Sequence, residues 1–236
     1  MKLLLLSNST NHGEEFLGYS RKVIADFLKD HSEHIVFIPF AAVSLDWDDY
    51  TEKVNQAMSQ FNISVKGIHR YKDGKAAFEE ATAIMVGGGN SFFLLDKLYR
   101  HQLINSMREL VLRGIPYVGW SAGANMACPT LMTTNDMPIV ETPTFRTLEL
   151  IPFQINPHYT EEVIPNHGGE SREIRIMEYI EVNPQTKVLG LPEGMMIEKQ
   201  NGQYLLIGEK GCKVFQHGHN PEWVKDSQTL NRVISC

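Results

Sequence analysis

Residues 115–125, IPYVGWSAGAN, decide the fold. An apolar run from Ile115 to Trp120 stops at a serine set between Gly119 and Gly123. A short apolar run closed by turn residues predicts a buried strand, and G-x-S-x-G is the pattern of a strand bending sharply into a helix with the serine exposed at the bend. The pattern fixes few positions, so its weight comes from the strand before it and the helix after it. Ser121 then has two compatible readings: a nucleophile, or a cap for the helix starting near Ala122.

Working outward, KLLLLSN and HIVFIPF read as buried strands, and between them GEEFLGYSRKVIADFLKDH puts Phe16, Val23, Ile24, Phe27 and Leu28 on one helical face. Next come a helix in DWDDYTEKVNQAMSQF, a strand in SVKGIHR, and a strand in ATAIMVGGGN that ends in three glycines. A helix with Leu103, Met107, Leu110 and Val111 toward the core leads back to the opening stretch. Alternating strands and helices predict an α/β fold with a doubly wound, mostly parallel sheet whose functional loops lie at the carboxyl ends of the strands. From about residue 130, Pro129, Pro138, Pro143, Pro152, Pro157 and Pro165 mark a loop-rich region. The tail returns to strands in KVLGLP, GMMIEKQ, GQYLLIG and CKVFQHG, with a hairpin turn at Asn201-Gly202. With no linker or repeat in 236 residues, one domain over 1–236 is expected.

A net charge of −6 argues against a nucleic-acid surface, and no run approaches the roughly 20 apolar residues of a membrane helix. The opening MKLLLLSNST has an apolar core too short for a signal peptide, so a cytoplasmic location is expected. Cys128, Cys212 and Cys236 are widely spaced, which suggests neither disulfides nor a metal site. Buried thiols and a free C-terminal one are expected instead.

A serine hydroxyl needs a base and an oxyanion site. The helix N-terminus makes the amide of Ala122 one donor, and Gly89 in GGGN can supply a second, because consecutive glycines let backbone approach a ligand. Among the histidines, His158 closes the apolar strand in FQINPHYT, where α/β proteins carry site residues. Asp136 in TTNDMPIV and Glu193 in GLPEGMM are both suited to orient it, and spacing does not choose between them. Arg172 and Arg175 share a helical face, which is either solvated or suited to gripping a substrate carboxylate.

Taken together, LLLLSNST, VFIPFA, WDDYT, GIHR, VGGGNSF, GWSAGAN, CPT, TTNDMPIV, QINPHYT, GESREIRI and GLPEG, running from residue 3 to about 195, resemble the peptidase E family of α-aspartyl dipeptidases. The resemblance implies a class I glutamine amidotransferase-like fold with serine at the elbow, and hydrolysis of dipeptides that begin with aspartate. It implies Ser121 as nucleophile, His158 as base, Gly89 and Ala122 as oxyanion donors, and Asp136 or Glu193 as the third member. Arg172, with Asn90 and Tyr159, is the expected substrate contact. A small peptide as partner, no cofactor, and a monomer or homodimer complete the expectation. The rival readings are a cyanophycinase-like peptidase acting on aspartyl polymer, an α/β-hydrolase esterase, and a binding module that keeps the fold without the chemistry.

Overall fold

In the computed structural model, residues 1–162 and 168–235 are described. Along the chain come β1 (Leu3–Leu6), α1 (Arg21–Leu28), β2 (Ile35–Ile38), α2 (Trp47–Met58), β3 (Val65–Gly67), α3 (Gly74–Glu79), β4 (Ala83–Val86), α4 (Ser91–Arg100) and α5 (Ile104–Leu112). Then follow β5 (Tyr117–Trp120), α6 (Ala122–Asn125), β6 (Gln154–Pro157), α7 (Arg172–Val182), β7 (Val188–Leu191), β8 (Met196–Gln200), β9 (Gln203–Ile207), β10 (Cys212–Phe215), β11 (Glu222–Val224) and α8 (Ser227–Ser235).

The main sheet has the order β3-β2-β4-β5-β1-β8-β9. Its first five strands are parallel, and β8 and β9 join antiparallel. Leu3, Leu5, Val36, Ile38, Ile84 and Val86 face one core, with Leu94, Leu98 and Met107 of α4 and α5. The alternate residues Leu4, Leu6, Phe37, Met85 and Trp120 face the other, with Ile24, Leu28, Val54 and Met58 of α1 and α2. Both faces are covered, which is why these strands read as unbroken apolar runs. This is the doubly wound, mostly parallel sheet expected.

A second sheet, β11-β10-β7-β6, pairs β6 parallel to β7 and the other strands antiparallel. The β8–β9 hairpin turns at Asn201 and Gly202, both with positive φ, as a two-residue type I′ turn requires.

Three local expectations change. The first helix begins only at Arg21, because Leu17 is left-handed (φ 57°) and its N–H turns back to Ser9 O, leaving Phe16 in the preceding turns. SVKGIHR is strand only to Gly67 and then a 3₁₀ turn. The tail ends in α8, where Asn231 brackets both backbone groups of Tyr204 on β9. Cys128 and Cys212 are buried free thiols, and Cys236 lies outside the described residues. Among the described residues no helix is long and apolar enough to cross a membrane.

Candidate active site

β5 ends at Trp120 and α6 begins at Ala122, so Ser121 takes the whole bend, with φ 52° and ψ −113°. Such backbone costs a non-glycine residue about 1–3 kcal/mol and is kept only where surroundings enforce it. Here they do: a Cβ on Gly119 would lie 2.4 Å from Gly123 O, and one on Gly123 would lie 2.2 Å from Val86 O. The Ser121 N–H is tied to Leu6 O at 3.0 Å. Its hydroxyl makes no cap bond to α6 and instead stands 3.0 Å from His158 Nε2.

His158 follows β6 directly, also with positive φ (53°). Its Nδ1 is 2.7 Å from Glu193 Oε1. Because a carboxylate only accepts, Nδ1 carries the proton in that bond, and Nε2 of the neutral ring is the acceptor for the Ser121 hydroxyl. Parallel pairing of β6 with β7 sets Pro157 opposite Leu191, so the residues just past the two strands meet. The carboxylate beside the histidine is therefore Glu193. Asp136 is not there: its Oδ2 accepts the Ser91 N–H at 2.7 Å, at the start of α4.

Two residues that the motif reading passed over brace this pair. Ser7 Oγ accepts the His158 N–H at 2.8 Å and donates to Leu191 O at 2.7 Å. Asn8 Oδ1 accepts the Gly194 N–H at 2.9 Å, beside Glu193. Their signal in the sequence is position alone: polar residues straight after an apolar strand, at the carboxyl edge of the sheet.

Gly89 has φ 138°, and a Cβ there would sit 2.2 Å from Ala41 O. The glycine loop is locked to the elbow through Tyr50, whose hydroxyl donates to Gly88 O at 3.1 Å and accepts from Trp120 Nε1 at 2.9 Å. Ala122 is the first residue of α6, and its N–H has no partner within the helix. Gly89, Asn90, Ser121 and His158 line one cavity of about 560 Å³, with Phe16, Val43 and Leu45 on its apolar side. The Asn90 side chain is already engaged, accepting from Phe93 N and donating to Met137 O.

Arg172 opens α7 and lines a neighbouring cavity of about 480 Å³, with Asn135, Asp136, Asn156 and Glu170. Its Nη1 is buried with no hydrogen-bond partner among the described residues. Burial and the nearby Arg175 lower its pKa, while the charge of Glu193 works the other way. Tyr159 is not a cavity residue beside Ser121. It is 3% exposed, its ring packs on Phe215 and Trp223, and its hydroxyl donates to Glu173 at 3.5 Å. It lines neither of the two cavities that hold Ser121 and Arg172.

The profile of peptidase family S51 matches residues 3–207, a span that contains every residue of this site. A peptidase E of Nostoc sp. (strain PCC 7120) is 46% identical over 221 residues, 94% of this chain and 91% of its own. A peptidase E of Salmonella heidelberg (strain SL476) is 49% identical over 218 residues, 92% of this chain and 95% of its own. The crystal structure of a peptidase from an acI-B1 Actinobacterium shares the fold, with TM-score 0.67 at 16% identity over 95% of this chain and 94% of that one. A serine held at a strained elbow within reach of a carboxylate-backed histidine, carried on a sequence matched across this whole span, leads to one conclusion: the chain belongs to peptidase family S51 and is a serine-type peptidase.

Proposed function

We propose that the chain hydrolyses dipeptides with N-terminal aspartate, with Ser121 as nucleophile, His158 as base and Glu193 as the third member. The observation that carries the reading is the continuous line of hydrogen bonds from the Ser121 hydroxyl through His158 to Glu193, at 3.0 and 2.7 Å. His158 Nε2 takes the hydroxyl proton as Ser121 Oγ attacks the carbonyl carbon, and Glu193 stabilises the imidazolium that forms. The N–H groups of Gly89 and Ala122 hold the oxyanion. His158 returns the proton to the leaving amine as the C–N bond breaks. Water, deprotonated by the same ring, then cleaves the ester and frees aspartate.

For the first residue, the guanidinium of Arg172, whose buried Nη1 has no partner among the described residues, is the cation that pairs the aspartyl side chain, and Asp136 and Glu170 in the same cavity supply acceptors for the substrate ammonium. A neutral first residue would leave that half-buried cation without its counter-charge, which costs about 1–3 kcal/mol, roughly ten- to a hundredfold in selectivity. The apolar wall of Phe16, Val43 and Leu45 suits the side chain of the second residue. No step calls for a cofactor. The reading treats 1–236 as one α/β domain working in the cytoplasm on small peptides, as a monomer or homodimer.

The test is aspartate release from Asp-Leu, with Glu-Leu, Leu-Leu and Asp-Leu-Leu as controls, by the wild type and Ser121→Ala. Turnover of Asp-Leu alone, abolished by the substitution, is expected. Turnover that survives Ser121→Ala overturns the mechanism, and equal turnover of Leu-Leu overturns the specificity.

A further inference from the structure

One buried cation has no part in the chemistry above. Lys213 on β10 is 8% exposed, and its ammonium contacts Glu161 and, at 2.5 Å, Glu173. Glu161 lies three residues after His158, and Glu173 lies next to Arg172 in the first turn of α7. Tyr159 donates to the same Glu173 oxygen, with its ring wedged between Phe215 and Trp223. Strand β10 and two segments that precede Lys213 by 52 and 40 residues thus meet at one charge. Burial alone would lower the ammonium's pKa, but the two carboxylates outweigh it and hold the pKa above its ordinary value. Remove the ammonium, and two part-exposed carboxylates, with side chains 50% and 39% exposed, lose the charge that draws them together and repel one another, which loosens the junction.

We infer that Lys213 is a positioning residue for substrate recognition: by joining the chain that leaves His158 to the first turn of α7, it sets where Arg172 presents its guanidinium. The inference rests on the proposed role of Arg172. His158 and Glu193 are braced independently, through Ser7 and Asn8, and Ser121 is tied to Leu6 O, so the bond-making apparatus stays intact when Lys213 is lost.

The experiment compares Lys213→Met, Lys213→Arg, Arg172→Met and the double variant Lys213→Met/Arg172→Met. Each is followed by steady-state kinetics on Asp-Leu and by the rate at which an uncharged phosphonate labels Ser121. Lys213→Met should raise KM about tenfold while kcat and labelling stay within about twofold, because displacing a binding group by an ångström weakens capture and leaves the nucleophile alone. Lys213→Arg should restore most of KM. The double variant should be no worse than Arg172→Met, since residues acting through one another are not additive.

Unchanged KM in Lys213→Met, a labelling rate that falls with it, or additive losses would each overturn the inference. If Arg172→Met leaves KM on Asp-Leu unaltered, the reading of Arg172 fails and takes the inference with it. A large Arg172→Met effect beside a silent Lys213→Met sinks the inference alone. Should Lys213→Met not fold, Glu161→Gln is the substitute: it should raise KM about threefold, and an unchanged KM is equally fatal.

Discussion

The main-chain N–H of His158 donates to the hydroxyl of Ser7 at 2.8 Å, which in turn donates to Leu191 O at 2.7 Å. One buried hydroxyl therefore fixes both the strand end that carries the base and the strand end that leads to Glu193. Ser7→Ala would leave a donor and an acceptor unpaired, at about 1–3 kcal/mol, or a Tm lower by roughly 2–10 °C for a chain of this size. We expect kcat on Asp-Leu to fall at least about tenfold with KM little changed, because the loss is in alignment of the ring. Steady-state kinetics beside a thermal melt check this; a folded variant with wild-type kcat contradicts it.

The two carboxylates that the sequence left equivalent should separate cleanly. Glu193→Gln removes the negative charge beside His158 Nδ1 and offers an amide N–H that favours the wrong imidazole tautomer, and it should lower kcat by about 10²–10⁴, whatever the substrate. Asp136→Asn keeps a side-chain oxygen near the Ser91 N–H, so its effect on kcat should be far smaller and should show mainly in KM, through the substrate ammonium. The reverse ranking would refute the assignment of Glu193.

At Gly89 the backbone has φ 138° and Ala41 O occupies the place of a Cβ. Gly89→Ala must therefore displace the loop, and losing one aligned oxyanion donor costs about 10²–10³ in kcat. The proposed aspartyl contact at Arg172 lies in the other cavity, so the loss should fall more on kcat than on KM. Full activity in the alanine variant, measured on Asp-Leu, would show that Gly89 is no donor.

Alkali should destabilise the fold in a defined window. Burial pushes the pKa of Tyr50, Cys128 and Cys212 up to about 12, from ordinary values of 10.0, 9.0 and 9.0. Between those values the unfolded chain gives up protons that the folded chain keeps. Stability is thus fully present below about pH 9 and is lost as pH rises toward about 12. Urea midpoints should drop steadily from about pH 9 to about pH 11, and Cys128→Ala should shrink that drop. A flat profile would mean that these groups ionise freely in the folded state.

Much of the sheet was legible because both its faces are buried, so Leu3–Leu6, Ile35–Ile38 and Ala83–Val86 could only be apolar. The elbow was legible because its small residues cluster within one short local motif, although Gly123 also answers to Val86 O on the adjoining strand β4. The choice of Glu193 over Asp136 was not, since it follows from β6 pairing with β7 across the intervening chain. Phe16 matched a helical period, yet the left-handed Leu17 after it ends any helix there, and nothing local announces that. Tyr159 sits in the same motif as His158, but its ring packs into the second sheet while the imidazole meets Ser121. Lys213 reads as a surface lysine in a strand until Glu161 and Glu173 are brought to it.

Ser121 stands on the seven-stranded sheet, whereas His158 and Glu193 stand on the four-stranded one. The enzyme is thus assembled across a seam, and its competence measures how well two sheets that share one apolar core stay in register. A slip of about an ångström between them would silence turnover while leaving each layer's hydrogen bonding whole. In mild urea, peptide cleavage should fade before circular dichroism reports any loss of helix or strand, so that catalysis acts as the more sensitive gauge of this fold's integrity.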